Sequence, residues 1–166
     1  MASVTLHGKR LQTLATLPAL GVHAPDFTLT NPELAEIHLK NFHGKKVVLD
    51  IFVSIDTPTC AKAAHHFNKI ANQMKNVIVL AISADLPFAL KRFCAAENLS
   101  KIIPLSTFRH HDFGQRYGVT LTNGPLLGLL SRAVVVIDEN GKVIYTQQVA
   151  EISDEPDYNA VLTALQ

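Results

Sequence analysis

An almost uninterrupted apolar segment, residues 47–52, constrains the fold more than any other part of this chain. Such a segment is typical of a central strand whose two faces are both covered. A helical spacing follows, because one helical face would carry Cys60, Ala63, Ala64, Phe67, Ile70, Ala71 and Met74. A second strand at 77–82 and a second helix at 86–96 complete a strand–helix–strand unit. This unit predicts two parallel strands joined by a right-handed crossover.

Shorter elements are predicted on both sides of this unit. Two strands around the turn at 7–9 indicate an N-terminal hairpin. Further strands are expected at 27–29, 37–39 and 102–105, and helices at 110–117 and 157–165. Asn140-Gly141, between strands at 133–137 and 143–145, predicts an antiparallel hairpin. The sequence therefore predicts one α/β domain over residues 1–166 with a thioredoxin-like fold, in which a mixed central sheet has helices on both faces.

Charge and hydropathy exclude several classes of function. Fifteen Lys and Arg against fourteen Asp and Glu give a formal charge of +1, so no binding to nucleic acid or to an anionic membrane is expected. No stretch reaches the roughly 18 apolar residues of a membrane span. Residues 14–24 faintly resemble a secretory signal, but Pro18 and several polar residues interrupt the apolar run. We therefore expect a soluble, cytoplasmic protein without a cleaved leader.

The turn between the first buried strand and the first long helix contains a cysteine. Pro58 suits the first helical position, which places Thr57 at the N-cap. Cys60 then lies in the first helical turn, where unpaired amides and the helix dipole stabilise an anion. A thiolate here would be a nucleophile. Cys60 also continues the apolar stripe, however, so spacing alone leaves an ordinary core cysteine open.

A second cysteine, Cys94, lies on the second predicted helix without a local activating feature, which by itself is typical of core packing. A chain of this size can bury a core without cross-links, so the two cysteines are not expected to form a structural framework. As a pair they suit redox chemistry, in which a second thiol captures a sulfenic acid. A Cys-x-x-Cys reductase would have its first cysteine where Thr57 stands, which favours a peroxidase.

Several motifs together resemble the bacterial thiol peroxidase branch of the peroxiredoxins, over essentially the whole chain. They are Ser54-Ile55-Asp56-Thr57 followed by Cys60, and residues 82–89, 92–94, 105–109 and 131–139. The resemblance implies that Cys60 is the peroxidatic cysteine and Cys94 the resolving cysteine, and that the two form an intrachain disulfide. It implies that Thr57 contacts the sulfur and the peroxide and that Arg132 holds the thiolate.

The same resemblance implies the partners of the chain. They are hydroperoxide substrates, including alkyl and lipid hydroperoxides, thioredoxin as the reductant, and a second copy in a homodimer. No cofactor and no metal site are expected. A disulfide between cysteines on two separate helices is expected to need local unwinding around one or both of them.

Two positions depart from the family pattern. Val53 stands four residues before the threonine, where the family has proline, and this change is expected to reduce reactivity or to alter the local backbone. Ala95 follows the resolving cysteine, where glycine is usual. Alanine is the better helix former, so Ala95 is expected to hold Cys94 more firmly in its helix.

Other interpretations of the sequence compete with this one. The pairs His65-His66 and His110-His111 raise the question of a metal, but adjacent helical residues point about 100° apart and no structural-zinc spacing follows them. A redox sensor that uses the same two cysteines stays an alternative. A glutathione peroxidase-like enzyme is disfavoured because the chain has no tryptophan. The apolar loop 124–130 is consistent with a pocket wall, a packed loop or a dimer contact.

Overall fold

Seven strands form one mixed sheet, preceded by a separate two-stranded hairpin, in a computed structural model that describes residues 1–166. The hairpin consists of β1 (Ser3–Leu6) and β2 (Lys9–Gln12). The strands of the sheet are β3 (Thr28–Thr30), β4 (Glu36–His38), β5 (Lys46–Ile51), β6 (Val77–Ser83), β7 (Ile103–Ser106), β8 (Ala133–Ile137) and β9 (Val143–Gln148). Their spatial order is β4-β3-β7-β6-β5-β8-β9.

Four α-helices cover the two faces of this sheet. They are α1 (Pro58–Gln73), α2 (Pro87–Ala96), α3 (Asp112–Arg116) and α4 (Tyr158–Ala164). Side chains from α1, α2 and α4 pack into one core, which includes Phe67, Leu90 and Val161. Phe113 of α3 belongs to a second core on the opposite face. The predicted thioredoxin-like arrangement is confirmed, although three of the four helices share one face.

Strand β5 lies inside the sheet, where it pairs in parallel with β6 and antiparallel with β8. Its apolar side chains alternate between the two cores, with Val48 on the α1 side and Leu49 on the α3 side. Burial on both faces explains why this strand has almost no polar residues. The exception in its interior is Asp50, which is 1% exposed.

Most predicted elements are observed within one or two residues of the expected bounds. The N-terminal hairpin turns at His7 and Gly8, whose φ angles of 50° and 80° suit a two-residue turn. The helix expected at 110–117 is shorter, because only Asp112–Arg116 is helical. None of the helices combines the length and the hydropathy that crossing a bilayer requires.

Candidate active site

Helix α1 begins as the sequence predicts, with Thr57 at the N-cap and Pro58 as its first residue. Cys60 is therefore the third residue of the helix, at the positive end of the helix dipole. Its side chain is fully buried in the core that α1 shares with the sheet. The strand-to-helix turn thus places the thiol in a position that is shielded from solvent and that favours an anion.

Arg132 directly precedes β8 and contacts this thiol. Its Nη2 donates a hydrogen bond to Cys60 Sγ at 3.0 Å, and its Nε donates to the Ile152 carbonyl at 2.8 Å. The arginine is only 2% exposed, and its Nη1 has no hydrogen-bond partner. Because charges interact strongly away from water, a guanidinium in this position stabilises the thiolate form of the sulfur.

The loop that leads into α1 is fixed by a carboxylate from the neighbouring strand. Asp85, just beyond β6, accepts hydrogen bonds from Ser54 Oγ and from the Ile55 amide, both at 2.8 Å. Thr57 Oγ1 donates to the Ser54 carbonyl at 3.0 Å and makes no capping bond to the helix. The hydroxyl of Thr57 is therefore oriented by the loop and not by α1.

A second carboxylate fastens the N-terminal hairpin beside the site. Glu151 accepts hydrogen bonds from the amides of Ser153 and Gly8, and from the Thr5 hydroxyl. Those two amides, foremost among several hydrogen bonds, lower its pKa to about 2. The Ser153 carbonyl accepts a hydrogen bond from Thr59 Oγ1 at 2.9 Å. The hairpin, the loop after β9 and the first turn of α1 therefore form one connected unit.

A cavity of about 330 Å³ lies against the first turn of α1, and Cys60 itself is not among the residues that line it. Thr57 and Arg132 both line it, together with Val53, His7 of the hairpin turn and Leu126. Part of the apolar loop 124–130 is therefore a pocket wall, since Leu126 lines this cavity. The mostly apolar lining suits a small substrate with a hydrocarbon part.

Cys94 occupies a different environment in the last turns of α2. Its side chain is partly buried against the α1-side core, and its carbonyl accepts a hydrogen bond from the Leu99 amide at 2.9 Å. Burial raises the pKa of this thiol to about 11. Both cysteines are free thiols in the structure. The structure thus brings Arg132 to Cys60 and leaves Cys94 on a separate helix.

Sequence reasoning missed three carboxyl groups around the site. Asp85 and Glu151 hold the loops, and Asp50 lies buried in β5 with no hydrogen-bond partner on either oxygen. Burial raises the pKa of Asp50 to about 7, although the charge of Arg132 opposes the change. A signal for Asp50 existed, since it is the lone acid within an apolar strand. Asp85 and Glu151 lie in loops, where sequence spacing indicates no partner.

Three of the four histidines in the two adjacent pairs make local contacts. His65 Nε2 lies 3.1 Å from a Glu97 carboxylate oxygen. His66 stacks on Tyr158 with ring centroids 4.1 Å apart. His110 lies 3.6 Å from Glu36. No three potential metal-ligating side chains come together in the chain.

Comparison with known proteins supports the resemblance that the sequence motifs indicate, along the whole chain. The model of the Redoxin family matches residues 19–162. The chain is 50% identical to the thiol peroxidase of Corynebacterium glutamicum and 49% identical to that of Mycobacterium tuberculosis, over 99% of each protein. The fold is similar to a peroxiredoxin-like protein from Aquifex aeolicus, with a TM-score of 0.94 at 36% identity over 99% of this chain and 96% of that one. A thiol peroxidase from Chromobacterium violaceum superposes with a TM-score of 0.92 at 26% identity, over 100% of this chain and 96% of that one. The chain therefore belongs to the Redoxin family, in the thiol peroxidase branch of the peroxiredoxins.

Proposed function

We propose that this peroxidase reduces hydrogen peroxide and organic hydroperoxides through a sulfenic acid on Cys60. Cys94 then forms an intrachain disulfide with Cys60, and thioredoxin restores both thiols. The observation that supports the proposal most strongly is the 3.0 Å hydrogen bond from Arg132 Nη2 to Cys60 Sγ in a fully buried site.

In the first step the thiolate of Cys60 attacks the terminal oxygen of the hydroperoxide. A sulfur–oxygen bond forms and the oxygen–oxygen bond breaks, so the sulfur is oxidised to a sulfenic acid and the leaving alkoxide takes up a proton. Arg132 lines the cavity, and its buried, unpartnered Nη1 is assigned the hydrogen bond to a peroxide oxygen as negative charge develops there. Thr57 lines the same cavity and is assigned the contact to the peroxide.

In the second step the thiol of Cys94 attacks the sulfenic sulfur and water leaves. A disulfide requires the two Cα atoms to come within roughly 7 Å of each other. Cys60 lies in the first turn of α1 and Cys94 near the end of α2. The end of α2 is the segment proposed to unwind, because its last residues are exposed and Cys94 is only partly buried.

We also propose that the protein acts in the cytoplasm as a homodimer. Two unpaired thiols suit a reducing compartment. Leu86 and Phe88 at the start of α2 are exposed and offer apolar surface for a second copy. Sedimentation velocity over a range of protein concentrations tests the dimer, and a monomer throughout contradicts it.

The central experiment measures peroxide consumption with thioredoxin, thioredoxin reductase and NADPH. Cys60→Ser should reduce turnover to the uncatalysed rate, because the serine hydroxyl is not ionised at neutral pH. Cys94→Ser should still consume one equivalent of peroxide and then stop, because its sulfenic acid has no partner thiol. The mass of the oxidised wild-type chain should show one disulfide within a single chain.

Two results would contradict the proposal. Unchanged turnover in Cys60→Ser excludes this residue as the nucleophile. Full thioredoxin-dependent turnover in Cys94→Ser leaves Cys60 in place but removes Cys94 from the cycle. Rates with hydrogen peroxide and with a bulky alkyl hydroperoxide, measured side by side, rank the substrates.

A further inference from the structure

Asp50 is a buried acid beside the reactive sulfur to which the peroxidase mechanism gives no role. Asp50 lies in the interior of β5 and is 1% exposed, and neither of its carboxyl oxygens has a hydrogen-bond partner. Buried carboxyl groups are normally hydrogen-bonded or paired with a cation, because an isolated buried charge is very unfavourable. Asp50 is therefore unlike Asp85, whose oxygens hold the Ser54 loop.

The register of the sheet places Asp50 next to the catalytic arginine. Val134 in β8 lies directly opposite Asp50, and Arg132 is two residues before Val134. Residues two apart in a strand share a face, so Arg132 is the diagonal neighbour of Asp50. The hydrogen bond from Arg132 to Cys60 shows that this face is the one covered by α1. One buried cation thus faces two groups that can carry negative charge.

We propose that Asp50 is a positioning residue whose carboxyl group is protonated while Cys60 is a thiolate and ionises when oxidation removes the charge from the sulfur. This inference rests on the proposed role of Cys60 as the peroxidatic cysteine. In the reduced state, Arg132 is neutralised by the thiolate, and a second anion would be uncompensated. In the sulfenic state, Arg132 would be the uncompensated charge, and the carboxylate neutralises it.

The proton balance of the first half-reaction closes within the site. With hydrogen peroxide, the leaving hydroxide takes up one proton to become water, and Asp50 releases one. No proton is drawn from the medium. Burial raises the pKa of Asp50 to about 7 against the opposing charge of Arg132. A thiolate beside Arg132 neutralises that opposing charge and raises the pKa of Asp50 further, so the acid is protonated at neutral pH in the reduced state. Loss of the thiolate lowers the pKa of Asp50 back toward about 7, because the charge of the guanidinium then acts on Asp50 alone.

Other polar groups face Asp50 from the elements packed against it. Besides the guanidinium and the sulfur, Tyr158 of α4 interacts electrostatically with Asp50, and burial raises the pKa of this tyrosine strongly. His66 of α1 stacks on Tyr158. Lys46, at the far end of β5, donates to the Leu165 carbonyl, and Tyr145 of β9 packs against the same core. Lys46 is the only fixed cation among these four, and a backbone carbonyl binds it.

The test counts protons during a single oxidation. The Cys94→Ser protein stops at the sulfenic acid, so one equivalent of hydrogen peroxide is added to it in weak buffer with an indicator dye. At about pH 8 we expect almost no proton uptake from this protein, and uptake of about one proton per sulfur from Asp50→Asn in the same background. Equal uptake in the two proteins overturns the proposal.

A second measurement leaves Asp50 in place, which covers the case that the Asp50→Asn variant folds poorly. The infrared difference spectrum of Cys94→Ser, oxidised minus reduced, should lose a protonated carboxyl band and gain carboxylate bands. A spectrum without a carboxyl change overturns the proposal. Asp112→Asn, an exposed acid on α3, should leave both measurements unchanged. If proton uptake from the medium appears in His66→Gln but not in Asp50→Asn, the imidazole supplies the proton and the proposal is wrong.

The failure of this inference differs from the failure of the proposed function. Peroxide oxidation of Cys60→Ser at the wild-type rate removes the sulfur chemistry itself. A different result is also possible: Cys60→Ser is inactive, as expected, but proton uptake is the same with and without the Asp50→Asn substitution. That result supports the proposed peroxidase function and removes only the role of Asp50.

Discussion

The two cysteines have opposite environments in one fold. Cys60 lies at the start of a helix, is fully buried, and accepts a hydrogen bond from a buried arginine. Cys94 lies near the end of a helix, is partly exposed, and has its pKa raised by burial. The positive end of a helix dipole acts on Cys60, and the negative end is nearer to Cys94.

This difference matches the two halves of the proposed cycle. The first thiol must be an anion before substrate arrives, so its surroundings are assembled in the reduced protein. The second thiol must remain unreactive until the sulfenic acid exists and must then move. Partial burial beside an exposed helix end supports both requirements. In the proposed cycle, the fold therefore separates a fully buried nucleophilic sulfur from a partly buried resolving one.

Removing the guanidinium should abolish most of the difference in reactivity toward peroxide between Cys60 and Cys94. Arg132→Gln is expected to slow the peroxide step by about 10²- to 10³-fold, the usual cost of losing a preorganised donor at a reacting centre. Stopped-flow mixing of the reduced protein with peroxide measures this rate. The reactivity of Cys94 toward an alkylating reagent should not change.

Two further variants make this measurement conclusive. Arg132→Lys retains the charge but has one nitrogen where arginine has three, so its rate should lie between the wild type and Arg132→Gln. Arg116→Gln changes an exposed arginine on α3 and should have the wild-type rate. A wild-type rate in a folded Arg132→Gln protein would show that the hydrogen bond from Arg132 does not activate Cys60.

A smaller but direct effect concerns the protection of Cys94. Burial raises the pKa of its thiol from 9.0 to about 11. The thiolate fraction at neutral pH therefore falls, and alkylation of Cys94 in Cys60→Ser should be roughly 100-fold slower than in the urea-unfolded chain. The folded rate should rise about tenfold for each pH unit up to that value. Equal rates in the folded and unfolded chains would mean that α2 does not protect the sulfur.

The sequence predicted the part of the site that depends on local rules. Pro58 and Thr57 set the helix start, and that start alone places Cys60 in the first turn. The apolar run at 47–52 likewise predicted a central strand, because a short, nearly continuous β-branched run is typical of a strand covered on both faces. These conclusions needed only neighbours in the chain.

The remaining parts of the site depend on contacts between distant segments. Arg132 lies 72 residues after Cys60, and no spacing in the sequence links them, so family resemblance was needed to find it. Glu151 contacts the hairpin turn 143 residues away. Asp50 had a visible signal, since it is an acid within an apolar strand. The meaning of that signal depends on the diagonal pairing with β8, which a single strand does not reveal.

The smallest predicted effect tests whether helix propensity in α2 limits the unwinding that brings Cys94 to Cys60. Ala95 is exposed beside Cys94 in α2, so Ala95→Gly loses no packing and weakens the helix by about 1 kcal/mol. Local opening should then become easier, and disulfide formation after a peroxide pulse should be up to roughly fivefold faster. Mass analysis of samples quenched at successive times measures this step separately from the oxidation of Cys60.

The matched control is Lys69→Gly, which introduces the same weakening at an exposed position of α1. Its rate of disulfide formation should stay at the wild-type value if opening is confined to α2. An equal acceleration in both glycine variants would indicate that the whole face of helices loosens together. No acceleration in Ala95→Gly would show that the unwinding of α2 does not limit the second step, and that the approach of the two sulfurs is controlled from the Cys60 side.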